Sequence, residues 1–398
     1  MKLNTTVLIF LCTMALVTLG VVMVTSSSAA IAARELNKQQ VEQNAGGVSS
    51  ERPKITSHSY FYTKRQFVWA IVSVAAMLIV YRIDYDKYKK FATPMLVGSF
   101  VLLLLVFVPG IGLERNGAHR WIRLGPAQLQ ASEVAKLALI IYLAKKLCDH
   151  NQVLKSFLKG FLPLVFVLSC FLVAIVVEPD LGAAVVIALI AFTMFAVAGM
   201  RMVHLCTLGV VMLPFVGLAI WLYPYRIKRL VAFLDPTADI HGKGWQLYQS
   251  LISVGSGGVE GLGLGMGPQK YLFLSEAYTD FIYAGICEEL GMVGALGVIA
   301  IYVLFMFQGY RVAMKLQDMY GSLLATGITA MIGIQAFINM FVVLGLVPTK
   351  GLTLPLVSYG GSSLLINMVA IGILMNLSKE AELVSTPLRR QVLRHARA

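Results

Sequence analysis

The sequence predicts an all-α polytopic membrane protein of about ten transmembrane helices, with a large extracytoplasmic loop between spans 7 and 8. Three observations carry that expectation. Hydrophobic residues make up 58% of the 398 and charged residues 13%, and the mean hydropathy is +0.77, outside the range of a soluble domain of this length. The apolar residues gather into ten stretches, each near the ~20 residues that a membrane-crossing helix needs. Between about Tyr223 and Tyr278 that pattern breaks, and roughly fifty residues turn polar and glycine-rich.

The stretches run near 6–24, 66–82, 94–111, 131–147, 158–177, 181–200, 204–222, 281–307, 322–346 and 355–377. The first, with Lys2 before it and Ser26-Ser-Ser-Ala-Ala30 after it, imitates a secretory signal. Its apolar run of about 19 residues exceeds the usual 7 to 15, so an uncleaved span is expected. Residues 25–65 are rich in Ser, Gln, Glu and Lys without periodicity and are expected to be a flexible outside loop. The organisation is then 1–65 for the first span and this loop, 66–378 for a transmembrane core carrying the loop 223–280, and 379–398 for a basic cytoplasmic tail.

Charge sets the orientation. With the amino terminus inside, the inside segments hold 17 Lys and Arg and the short outside loops hold 4, as the positive-inside rule prefers. The two long outside segments, with 6 and 5 basic residues, dilute the signal. The net charge of +13 suits anionic lipid headgroups, and no nucleic-acid module is visible.

The polar break ends in Glu276-Ala-Tyr-Thr279-Asp280-Phe281, where the eighth span begins. A carboxylate at a membrane boundary beside a loop large enough to form a pocket points to chemistry on a substrate held in the bilayer. Asp280 could equally cap the helix that follows. Other outside ionisable groups lie in Asn116-Gly-Ala-His-Arg120-Trp121-Ile-Arg123-Leu-Gly-Pro126, in Glu178-Pro179-Asp180-Leu-Gly182 and in Tyr225-Arg226-Ile-Lys-Arg229. Gly244-Trp-Gln246 and Pro348-Thr-Lys350-Gly351 follow, the latter running to Ser358-Tyr-Gly-Gly-Ser-Ser363. Glu133 and Lys136, spaced i,i+3 in the fourth span, are expected to form an internal ion pair.

In this order and spacing the chain resembles the SEDS family (shape, elongation, division and sporulation) over residues 60–378, and its division branch more than its elongation branch. The resemblance implies a ten-span enzyme that polymerises lipid II into glycan strands at the outer face of the cytoplasmic membrane. It implies a class B penicillin-binding protein and other division proteins as partners, and a place at the division septum. By position Asp280 matches the family's catalytic aspartate. Ala131 and Ala183 stand where the family usually has Pro and Thr, and neither departure removes an ionisable group.

The residues suit that chemistry. Moving a sugar from a lipid pyrophosphate to a hydroxyl needs a base, for which Asp280 is the candidate, and an inverting transfer needs no protein nucleophile. Arg226, Arg229, Arg120, Arg123 and Lys350 are cations that could hold pyrophosphate, with Trp121 and Gln246 as further substrate contacts. Trp121 could instead be an interfacial anchor. Outside carboxylates such as Asp180, Asp235 and Glu276 leave a divalent cation open as a cofactor, and no spacing is diagnostic of a metal site. The cysteines form no CxxC, and Asp84-Tyr-Asp86 on a basic inside loop reads as a solvated helix end. Gly261-Leu-Gly-Leu-Gly-Met-Gly267 reads as tight turns pressed against the membrane. Glu288 and Glu289 must face the interior or water, where a proton pathway is one possibility. Ser358–Ser363 reads as close packing rather than a nucleophile. A lipid II flippase, an elongation- or sporulation-type polymerase and a division scaffold remain as alternatives.

Overall fold

A computed structural model describes residues 4–44, 61–115, 118–125, 127–149, 156–221, 223–235, 244–269, 277–349 and 351–385, with Leu154, Thr237 and Gly242. A helix occupies each place predicted for a span: α1 (Thr5–Asn44), α2 (Phe61–Tyr81), α3 (Asp86–Leu105), α4 (Ala131–Asp149), α5 (Leu162–Val177), α6 (Leu181–Val197) and α7 (Met202–Trp221). Two shorter helices, α8 (Pro224–Leu234) and α9 (Trp245–Ser256), lie within the polar break, and α10 (Ile282–Lys315), α11 (Met319–Val343) and α12 (Gly361–Ser385) complete the bundle. Among the described residues, seven helical segments are long and apolar enough to cross a membrane; α4, α6 and α7 fill the remaining predicted places. The side chains of Phe67, Ile71 and Ile79 on α2, and of Phe166 and Val173 on α5, are exposed, which suits contact with lipid rather than water.

The first span corrects the sequence expectation. Residues 25–44 continue α1 as helix instead of opening a flexible loop. The reason is local: Ala29-Ala-Ile-Ala-Ala-Arg-Glu-Leu and the Lys and Gln that follow are strong helix formers, and no Pro or Gly occurs between Gly20 and Gly46. At 1.5 Å per residue the helix is about 60 Å long, roughly twice the hydrocarbon thickness. At the other end of the expected loop, residues 61–65 already belong to α2; residues 45–60 lie outside the described residues, as does the tail beyond Ser385.

Helix α11 is the axis of the bundle, packed against α4, α6, α9, α10 and α12. Small residues permit that. A Cβ on Gly327 would stand 2.5 Å from Ile140 of α4 and 2.9 Å from the sulfur of Met194 of α6, and one on Gly309 of α10 would stand 2.2 Å from Thr329. Such close backbone approach drives helix association where lipid provides no hydrophobic gain.

Between α3 and α4 the chain forms a small antiparallel sheet, β1 (Gly112–Arg115), β2 (Ala118–Leu124) and β3 (Ala127–Gln130), the departure from an all-helical fold among the described residues. Trp121 pairs with Leu113 on one side and Gln130 on the other. Because strand side chains alternate, Trp121 and Arg123 share one face and buried Ile122 takes the other, while Arg120 is the extra residue where β2 bulges opposite Leu113 and Glu114. Helix α10 is not one rod: Gly291 has φ +64° and ψ −164°, so Ile282–Leu290 is a short leg set off from the long one after it. The sheet, the α5–α6 corner, the start of α10 and the α11–α12 connection meet at one end of the bundle.

Candidate active site

Asp280 sits on a turn just before α10. The cap residue of α10 is Phe281, one place after it. The turn is gripped through three successive carbonyls. Tyr278 O accepts from the N–H of Tyr359 at 2.9 Å, Thr279 O from Ser358 Oγ at 2.6 Å, and Asp280 O from Asn339 Nδ2 at 2.8 Å. Asn339, fully enclosed on α11, also donates to Leu352 O at 2.6 Å, and Ser358 Oγ accepts from the N–H of Leu354 at 2.8 Å. Tyr62, Tyr278 and Tyr359 pack ring against ring beside the turn, with centroids 5.2 to 5.7 Å apart. The Ser358–Ser363 run is thus structural, as its composition suggested.

A guanidinium meets the carboxylate across Gly351. A Cβ there would lie 3.2 Å from Asp280 Oδ2 and 3.8 Å from Arg120 Nη1, so both groups flank one glycine. Arg120 is aimed from β2 by two bonds to the α5–α6 corner: Nε donates to Glu178 O at 3.4 Å and Nη2 to Pro179 O. The corner is itself fixed. Asp180 caps α6 by accepting from the N–H of Ala183 at 3.0 Å, and it accepts from Gln130 Nε2 of β3 at 3.4 Å. Arg226, buried at the start of α8, reaches the same corner, donating to Val176 O at 3.3 Å with its guanidinium 4.4 Å from the Tyr223 ring. Cations at the carbonyl end of α5 also complement its dipole.

The glycine-rich segment after α9 packs against the broken helix. The N–H groups of Leu262 and Gly263 donate at 3.0 Å to the carbonyls of Glu288 and Glu289. Those of Gln269 and Gly265 donate to the two carboxylates, at 3.0 and 2.9 Å. Ser253 Oγ adds a bond to Glu288 at 3.2 Å and Ser26 Oγ of α1 one to each oxygen of Glu289 at 2.9 Å. A Cβ on Gly257 would fall 1.9 Å from Cys287 O, and one on Gly267 would fall 2.7 Å from Glu288 Oε2. Glu288 and Glu289 therefore anchor a loop, and the proton pathway weighed for them gives way to that role.

Comparison with known proteins decides the family. The FtsW/RodA/SpoVE family described as "Cell cycle protein" matches residues 45–383. The chain is 41% identical over 370 residues to a protein of Geobacter metallireducens named probable peptidoglycan glycosyltransferase FtsW, covering 93% of each. It is 40% identical over 380 residues to stage V sporulation protein E of Bacillus subtilis, covering 95% of this chain and 98% of that one. The chain belongs to the SEDS family. A chain of a solved peptidoglycan synthase complex, whose structure concerns the coordination of polymerization and crosslinking, superposes on this SEDS chain with a TM-score of 0.73. It is 28% identical, and the match covers 94% of this chain and 97% of that one. Thermus thermophilus RodA superposes with a TM-score of 0.66 at 25% identity, covering 94% and 96%.

The other residues singled out in the sequence are dispersed. Arg123 is exposed on β2, and Trp121 is half-buried on the same face. Arg229 is exposed on α8, and Gln246 is half-buried in the first turn of α9. Lys350 lies outside the described residues, as does Glu276. Glu133 and Lys136 form their ion pair at 2.7 Å, and Lys136 also donates to Gln335, whose amide donates to Thr353 O at 3.1 Å. That chain of bonds ties α4 through α11 to the run carrying Gly351. Asp180 is engaged by α6 and Gln130, Asp235 by Thr237, and among the described residues no three His, Cys, Asp or Glu side chains gather as metal ligands. Two residues were missed by the sequence reading. Asn339 gave no signal, standing among apolar neighbours of a span, and Glu178 was quoted only as part of a motif.

Proposed function

We propose that this multi-pass SEDS protein is a peptidoglycan glycosyltransferase that polymerises lipid II, with Asp280 as the general base and Arg120 as a cation for the pyrophosphate. The observation that carries the reading is the pairing of Asp280 Oδ2 and Arg120 Nη1 around Gly351 on two rigidly held backbones. Asp280 takes the proton from the acceptor sugar's hydroxyl as that oxygen attacks the anomeric carbon of the donor. The bond from that carbon to the pyrophosphate oxygen breaks, and the electron pair leaves on pyrophosphate. Displacement from the opposite face inverts the anomeric centre. A lipid pyrophosphate is already a good leaving group, so stabilising its charge matters more than protonating it, and a guanidinium supplies that with paired N–H donors. The missing side chain at Gly351 lets base and cation approach the same point.

The names of the relatives, including a peptidoglycan glycosyltransferase, support the substrate class. The likeness to a chain of a peptidoglycan synthase complex that coordinates polymerization and crosslinking supports a crosslinking partner, which we take to be a class B penicillin-binding protein; the division septum as the site of action rests on the relatives named FtsW. The purified protein with lipid II in detergent tests the reading, because a polymerase makes glycan there and a flippase cannot. Asp280→Asn keeps the side-chain size and removes the base, so polymerisation should fall by ~100-fold or more with folding unchanged. Near-normal glycan synthesis by the folded variant would refute Asp280 as the base.

A further inference from the structure

Glu178 is the one acid at the α5–α6 corner without a described partner. Its side chain is fully enclosed, and neither carboxyl oxygen has a hydrogen bond, whereas its neighbour Asp180 is engaged by Ala183 and Gln130. The charged groups facing it are Asp180 at the start of α6 and Arg120 from β2, and Arg226 from α8 is bound two residues earlier at Val176 O. Arg120 takes the backbone carbonyls of residues 178 and 179 and makes no ion pair with either acid of the corner among the described residues. An ionised carboxylate in such a place, with no donor on either oxygen, costs far more than a neutral acid does. Burial first, and then the Asp180 charge, push Glu178 up to about 9, with Arg120 offsetting part of the rise. At neutral pH the group is a carboxylic acid.

We propose that Glu178 is a positioning residue for the transfer reaction: held as a neutral acid behind Arg120, it leaves that guanidinium's charge free for the substrate pyrophosphate, and once ionised it would cancel that charge. The proposal rests on the reading of Arg120 and Asp280 given above. It explains why an acid can sit beside the anion-binding cation without competing for it. Glutamine, neutral at every pH and nearly the same size, should then replace Glu178, whereas a permanent charge at that place would not serve. The proton on Glu178 takes no part in the chemistry.

The test is the pH profile of lipid II polymerisation by the full-length protein in detergent, from about pH 6 to about pH 10. Wild-type kcat/KM should fall on an alkaline limb that begins near pH 9. Glu178→Gln should keep at least about half of the neutral-pH rate and lack that limb, so that the two differ by about tenfold one unit above the midpoint. Equilibrium binding of undecaprenyl pyrophosphate, which needs no turnover, should show the same divergence between the two proteins. A folded Glu178→Gln protein that is inactive at pH 7, or one that keeps the wild-type limb, overturns the proposal. Should the Gln variant fail to fold, the wild type alone decides: a profile flat to about pH 10 also overturns it. Asp280→Asn run in parallel separates the two readings, since full activity there removes the general base whatever Glu178 does, and an inactive Asp280→Asn with an unresponsive Glu178 defeats only the present proposal.

Discussion

Replacing Asn339 with Leu removes two donors and little volume. Its Nδ2 serves Asp280 O at 2.8 Å and Leu352 O at 2.6 Å, and the residue is 1% exposed, so water cannot substitute. Each buried carbonyl left without its donor costs about 1–3 kcal/mol, giving about 2–6 kcal/mol for the pair. That is a large share of the usual 5–15 kcal/mol. The loss falls on the turn that carries Asp280 and on the run that carries Gly351, so the two halves of the candidate site should drift apart. We expect a lower unfolding temperature in detergent together with a ten- to hundredfold loss of turnover per folded molecule, roughly 1.4–2.7 kcal/mol in the barrier. Asn367→Leu is the control. That amide is as deeply buried but bonds only Ser363, one turn away in its own helix, so its loss should cost stability and spare normalised turnover. The assay is lipid II polymerisation scaled to the folded fraction. Asn339→Leu protein with wild-type stability and turnover would refute the reasoning.

Three further expectations follow from geometry. Lys136→Met strands Glu133 in the core and should cost about 3–5 kcal/mol, most of it recovered by adding Glu133→Gln, as measured by thermal unfolding; equal stability of the single variant would dismiss the buried pair. Gly257→Ala places a methyl 1.9 Å from Cys287 O and should sharply reduce folded protein, whereas Gly98→Ala, with open space around it, should not; yields on a membrane extract distinguish them. A cysteine at exposed Glu260 should react with an impermeant thiol reagent in intact spheroplasts and one at Lys315 only after lysis; labelling of Lys315→Cys in intact cells would reverse the orientation.

The helical places were legible because hydropathy is a local property, and each predicted stretch lies on a helix. The sheet had a local sign too: Asn116-Gly117 between two short runs is a hairpin signal, unused because the segment was read only for its charges. What could not be read was pairing at a distance. Arg120 and Glu178 are 58 positions apart, and Ser26 and Glu289 are 263 apart. Adjacent acids in an apolar helix announce that something must satisfy them, but only the fold shows that the something is a glycine loop. Asp280 stands out at the end of the polar break and the resemblance proposes its role, but its grip through Asn339 and Ser358 has no trace in spacing.

The anchors of the α10 start differ in when they become available. Among the described residues, the groups that satisfy Glu288 and Glu289 at Ser26, Ser253 and the N–H groups between Leu262 and Gln269 precede them in the chain. The described groups that grip the carbonyls of Tyr278 to Asp280 come later, at Asn339, Ser358 and Tyr359. A chain emerging from the ribosome amino terminus first can therefore close the glycine loop while α11 and α12 are still being made. The aspartate turn has to wait for them. A nascent molecule would carry its loop already folded and its Asp280 turn still loose, and the candidate site would be complete only as the final two helices enter the bundle.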